Sequence, residues 1–127
     1  MKDKGVSLKR LMKSFGYAVN GIRRMVVQEQ NAKIHLLTVF IVAGAGFYFH
    51  LSATEWIAII IVSGGVLAAE TFNTSIEALS DTLSTEFNQS IKQVKDFAAG
   101  AVLIVTLTSI IVGIIIFLPK IMALFGE

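Results

Sequence analysis

Apolar and polar positions along the chain fall into four blocks. In "SLKRLMKSFGYAVNGIRRMVVQE", residues 7–29, Leu8, Leu11, Met12, Phe15, Val19, Ile22 and Val26 recur at helical spacing. Lys9, Arg10, Lys13, Asn20, Arg23 and Arg24 occupy the other side. An apolar stripe beside a basic face predicts an amphipathic helix of the kind that lies in a membrane interface. Three longer apolar runs follow: "IHLLTVFIVAGAGFYFHL" (34–51), "WIAIIIVSGGVLAAETFNTSIEAL" (56–79) and "FAAGAVLIVTLTSIIVGIIIFL" (97–118). The last is long enough to cross a hydrocarbon core of about 30 Å. The pattern therefore predicts an all-α membrane protein: a surface helix, then three transmembrane helices joined by a short "SATE" turn and by a loop over 80–96.

Composition agrees with this reading. The chain is 54% hydrophobic and only 16% charged, with a mean hydropathy of +0.72, too apolar for an ordinary soluble domain. With 127 residues, no Pro/Ser-rich linker and Pro119 as its only proline, it is expected to form one unit over 1–127. The absence of cysteine excludes disulfides, thiolate zinc sites and thiol nucleophiles. The N-terminus does not read as a signal peptide, because residues 1–33 hold eight of the eleven Lys/Arg residues and no apolar core with a cleavage site.

The net charge of +2 matters less than where it lies. Basic residues concentrate before the first span, and Lys92 and Lys95 fall in the 80–96 connection. The "SATE" turn has none, and the C-terminal tail has only Lys120. The positive-inside rule then places the N-terminal helix and the 80–96 loop in the cytoplasm. No nucleic-acid partner is expected.

One stretch departs from the apolar pattern. "AAETFNTSIEALSD", residues 68–81, closes a run of fourteen uncharged residues (56–69) and adds Glu70, Asn73, Glu77 and Asp81 at the cytoplasmic end of the second span. At about 100° per residue, Glu70 and Glu77 differ by roughly 20° and Asn73 lies about 60° from Glu70, so the three share a face. Such groups in a span face protein or a water-filled cavity and mark function by default. The bland alternative is the polarity of a helix leaving the bilayer, and Asp81 alone fits it. Glu29 alone reads as a solvated acid, yet with Glu77 it could close a divalent-metal site, since Mg²⁺ takes one or two carboxylates plus phosphate oxygens and water. Lys95-Asp96 suits an interface anchor and a helix N-terminus, or a phosphate-binding cation with its neighbour. His35 and His50 stand at span ends, where interfacial histidines are common. Neither a P-loop nor a GxGxxG turn is present, so phosphate chemistry would have to use scattered helical side chains.

"GYAVNGIRRMVVQE" with "NAKIH", then "ETFNTSIEALSD", then "KDFAAGAVLI", resembles the small prokaryotic lipid kinases of the diacylglycerol kinase/undecaprenol kinase family. The resemblance runs from about Arg10 to Pro119, and "ETFNTSIE" fits the signature E-x-x-N-[ST]-x-I-E. It implies a homotrimeric bacterial inner-membrane enzyme that moves the γ-phosphate of ATP to a membrane lipid alcohol. Glu70 would be the general base, and Asn73 would position the reacting groups. Glu29 and Glu77 would hold Mg²⁺ with the ATP phosphates, Lys95 would neutralise phosphate charge, and Arg10, Tyr17, Glu86 and Asp96 would complete the nucleotide site. His35 in "NAKIH", "KDFAAGAVL" and "FLPK" resemble the undecaprenol kinase branch, with diacylglycerol the alternative acceptor.

A non-enzymatic channel or transporter subunit is the competing class. It calls for a polar path through a whole span, whereas here polarity is confined to the cytoplasmic third of the second. Gly44, Gly46, Gly64, Gly65, Gly100 and Gly113 offer small surfaces for close helix contact, compatible with an oligomer whose sites form between chains.

Overall fold

The computed structural model describes residues 5–126 and contains four helices: α1 (Leu8–Gln28), α2 (Gln30–Tyr48), α3 (Ala53–Leu83) and α4 (Gln89–Phe125). The last three are long and apolar enough to cross a membrane. Their outer faces carry exposed Phe, Ile and Leu side chains along nearly their whole length. That is the pattern of helices whose solvent is lipid or another apolar helix.

Helix α1 keeps its stripe uncovered. Leu8, Leu11, Met12, Phe15 and Ile22 are exposed, and Met25 near the C-terminal end is its one buried residue. Neither glycine nor proline ends this helix. Glu29 breaks it by adopting an extended conformation (φ −93°, ψ 122°), its N–H still donating to the Met25 carbonyl and its carbonyl accepting from Lys33. A single extended residue thus turns the surface helix into the first span. That span begins at Gln30, earlier than the apolar run at 34 suggests, because Gln30–Lys33 add a polar first turn.

The turn from α2 to α3 is defined by backbone hydrogen bonds. Leu51 N–H donates to the Gly46 carbonyl (3.1 Å) and His50 N–H to that of Phe47 (3.3 Å), with His50 in the left-handed region at φ 52°. This is a Schellman stop with histidine where glycine is usual. Ser52 and Glu55 then form a capping box for α3: Glu55 N–H donates to Ser52 Oγ (3.2 Å) and Ser52 N–H to Glu55 Oε2 (2.9 Å). Glu55 also meets Lys120 of α4 at 3.2 Å, so the "SATE" turn is tied to the end of the third span. Around this end lies the small core of Leu51, Ile59 and Ile116 with Trp56 and Phe117. The Trp56 ring lies over Gly46, where a Cβ would come within 2.6 Å of it.

At the opposite end the structure corrects the expected 80–96 loop. Helix α3 continues to Leu83 and α4 starts at Gln89, with Asn88 capping it through Ser90 and Ile91 N–H, so only 84–88 lies outside helix. Helices of 31 and 37 residues are about 46 and 55 Å long, well beyond the hydrocarbon thickness. The polar stretch 70–83 therefore rides on a rigid helical extension rather than in a loop.

Candidate functional site

Helix α3 turns one face of its C-terminal half inward. Glu70 is 2% exposed and Asn73 9%, with Ser80 buried further along the face, whereas Glu77 is exposed. The shared orientation expected from helical spacing is present. Asn73 Nδ2 reaches Glu77 Oε1 at 3.4 Å, a long hydrogen bond, and Asn73 Oδ1 is buried without a partner. An unpaired buried amide oxygen is costly and is unusual outside sites that await a ligand or water.

Glu70 meets α2. Its Oε2 lies 3.8 Å from His35 Nε2, with side-chain exposures of 3% and 21%, and among the described residues His35 is its one ion-pair partner. From His35 an apolar groove of about 210 Å³ runs between α2, α3 and α4 past Val42, Val66 and Gly113 to Phe117. It leads from the imidazole beside the buried carboxylate along the spans toward the core at their other end.

The C-terminal end of α1 docks on a neighbouring strip of α3. Thr71 Oγ1 lies 2.8 Å from the Leu67 carbonyl and 2.6 Å from Met25 Sδ, and its one proton serves one of these acceptors at a time. A shallow depression there is lined by Arg24, Glu29, Thr71, Thr74 and Ser75. Glu29 is half-buried in it. Glu77 does not line this depression, because the helical turn sets it on the Asn73 side. Among the described residues no three His, Asp or Glu side chains converge as a ready-made metal cage. Glu29 and the Asn73–Glu77 pair thus lie apart within one chain, although each offers hard oxygen donors of the kind Mg²⁺ takes together with phosphates and water.

The 84–88 turn forms a second polar hollow, holding Asp81, Glu86, Lys92 and Lys95. Lys95 Nζ contacts Asp81 Oδ1 at 2.6 Å, and Asp96 pairs with Lys92 one turn away on α4. Both lysines are thus held by acids in this structure, and Asp81, which the sequence pattern treats as exit polarity, is the counter-ion of Lys95. Arg10 and Tyr17 are exposed on the outer part of α1. Arg10 is fifteen residues before the docked Met25, about 22 Å along the helix. Within one chain the structure gathers Glu70, Asn73 and Glu77 on one face, and Glu86 with Lys95 beside the turn. It leaves Arg10 and Tyr17 apart from both. The partner that sequence pattern misses is His35: it sits at the start of a span, at the level of Glu70, but no spacing rule links residues 35 apart.

Comparisons with known proteins bear on the whole of this arrangement. The sequence profile of the family described as "Prokaryotic diacylglycerol kinase" matches residues 16–117, which takes in every residue of the inner face and leaves Arg10 outside. An undecaprenol kinase from Bacillus subtilis is 38% identical over 119 residues, covering 94% of this chain and 97% of that protein. A diacylglycerol kinase from Synechocystis is 33% identical over 115 residues, 90% of this chain and 66% of its own length. The diacylglycerol kinase of Escherichia coli is 23% identical over 111 residues, 87% and 91% of the two chains.

Proposed function

The chain belongs to the prokaryotic diacylglycerol kinase family, and from that membership we propose that it is a membrane lipid kinase transferring phosphate from ATP to undecaprenol, in preference to diacylglycerol. The observation that carries this reading is the 38% identity to an undecaprenol kinase over nearly the full length of both proteins. The Synechocystis relative makes diacylglycerol the second reading. A channel or transporter role has less support, since the buried polar groups stay at one end of α3 and the groove beyond them is apolar.

Phosphoryl transfer asks for positioning, charge neutralisation and a base for the attacking hydroxyl. Glu70 is the base: it is buried beside His35, which lines the apolar groove, so a lipid alcohol can approach it without leaving the bilayer. Asn73 holds the reacting groups through its unpaired amide oxygen. Glu29 and Glu77 would hold Mg²⁺ with the ATP phosphates, where the ion would supply neutralisation of phosphate charge. Lys95 binds phosphate by exchanging Asp81 for it, with Arg10, Tyr17, Glu86 and Asp96 completing the nucleotide site. The cytoplasmic supply of ATP requires α1 and the 84–88 turn to face the cytoplasm, with the spans in the bacterial inner membrane. The assembled enzyme is a homotrimer.

The test is phosphorylation by purified protein in detergent micelles with Mg²⁺ and ATP, offering undecaprenol and diacylglycerol in parallel. Undecaprenol is expected to be the better acceptor, and Glu70→Gln to lower turnover by about 10²–10⁴-fold, the usual contribution of a general base. Full activity in Glu70→Gln would reject its role, and faster turnover of diacylglycerol would reverse the acceptor assignment.

A further inference from the structure

His35 has a place in the structure that the base, the metal ligands and the nucleotide contacts do not use. Its Nε2 is 3.8 Å from Glu70 Oε2, too far for a direct hydrogen bond and near enough that one intervening oxygen can reach both. An oxygen about 2.8 Å from each atom bridges this gap. The same imidazole forms the polar end of the groove running to Phe117. One turn beyond Glu70 on α3, Asn73 also keeps a buried oxygen without a partner.

We propose that His35 positions the acceptor: it donates a hydrogen bond from Nε2 to the hydroxyl oxygen of the lipid alcohol, which in turn donates its proton to Glu70 Oε2. The inference rests on the reading of Glu70 as the base. The reaction balances without any further reactant. The hydroxyl proton passes to the Glu70 carboxylate, an oxygen lone pair forms the bond to the γ-phosphorus, and the bond from that phosphorus to the bridging oxygen breaks with its electron pair leaving on ADP.

The role of His35 is to select and orient. A carboxylate alone accepts the proton of a hydroxyl approaching from many directions. A second contact on the opposite side of the oxygen fixes where its lone pair points, and orientation of this kind is a large part of catalysis by positioning. It also makes the end of the groove selective for an oxygen. A chain that ends in carbon would leave both the imidazole and the carboxylate unpaired, which a site built to bind a hydroxyl penalises strongly.

The experiment uses the full-length protein in micelles. It measures KM for undecaprenol, KM for ATP, kcat, and the inhibition constant of the matching hydrocarbon that lacks the hydroxyl. His35→Leu is expected to raise the undecaprenol KM about tenfold, the worth of one hydrogen bond to a reacting group, while the ATP KM and the hydrocarbon inhibition constant stay within about twofold. His35→Gln, which keeps an N–H donor, should recover most of the loss. A hydrocarbon inhibition constant that rises with the alcohol KM would make His35 a wall of the groove and overturn the proposal. An unchanged alcohol KM, or a rise confined to ATP, would overturn it as well. Each of those results leaves the kinase reading standing. That reading fails instead if the wild-type protein transfers no phosphate to any alcohol, and the assignment to Glu70 fails if Glu70→Gln is fully active.

Discussion

His50 is the residue whose backbone stands furthest from its preference. At φ 52° it occupies the left-handed region that glycine enters freely and a side-chain-bearing residue enters at a cost of about 1–2 kcal/mol. The Schellman hydrogen bonds around it, from Leu51 to Gly46 and from His50 to Phe47, hold it there. Because those bonds are made by the backbone, His50→Gly keeps them and removes the strain. The variant is expected to be more stable by about 0.5–1 kcal/mol, after allowing for the greater freedom glycine gives the unfolded chain, seen as a higher thermal unfolding midpoint in mild detergent. A lower midpoint would mean that the imidazole makes a stabilising contact across the membrane interface. Sequence pattern treats His50 and His35 alike, as histidines at span ends. Only the fold separates them, setting His50 in a tight turn and His35 against Glu70.

The elements show where local pattern suffices and where it stops. Helical spacing was enough to find the four helices and to set Glu70, Asn73 and Glu77 on one face, because period and burial are local properties. It stopped short at 80–96, where a drop in hydropathy reads as a loop although all but 84–88 is helical. Leaving the membrane and ending a helix are different events, and hydropathy reports only the first. It also could not show that α2 and α3 meet through Trp56 against Gly46, a contact between residues with no periodic relation. That contact makes an element-scale prediction. The methyl group in Gly46→Ala would overlap the indole and also press on Leu51 Cδ1 at 3.1 Å, and neither neighbour belongs to a flexible polar chain that could swing away. A loss of about 1–3 kcal/mol is expected from overpacking, measured as a lower unfolding midpoint, while Gly44→Ala, which meets nothing within 4 Å, should be nearly silent. If the two variants behaved alike, the α2–α3 contact would not be limiting. At the same end Ser52→Ala removes half of the capping box, with an expected loss of about 1 kcal/mol in the same assay.

For the whole molecule the question is whether one chain holds a complete site. Glu70 and Asp81, which anchors Lys95, are eleven residues apart on α3, about 16 Å along its axis. Arg10 is about 22 Å along α1 from the point where that helix docks beside Thr71. A nucleotide contacting Arg10 and Tyr17 of the same chain would have to span that distance, whereas α1 of one chain can lie over the inner face of another. The exposed apolar faces of α3 and α4, with Gly64 and Gly100 open to close approach, leave room for such neighbours. Subunit mixing tests the point. Glu70→Gln and the double variant Arg10→Ala, Tyr17→Ala should each be weakly active as homo-oligomers. Coassembled one to one, with mixing verified by pulling down one tag and detecting the other, they should recover about a quarter of wild-type activity. In a closed ring, each site then has about one chance in four of drawing both intact sets of residues from two different chains. If each site were built within one chain, every chain would carry a defect and mixing would restore nothing. The size of the assembly is read independently from its mass in detergent, where three chains are expected.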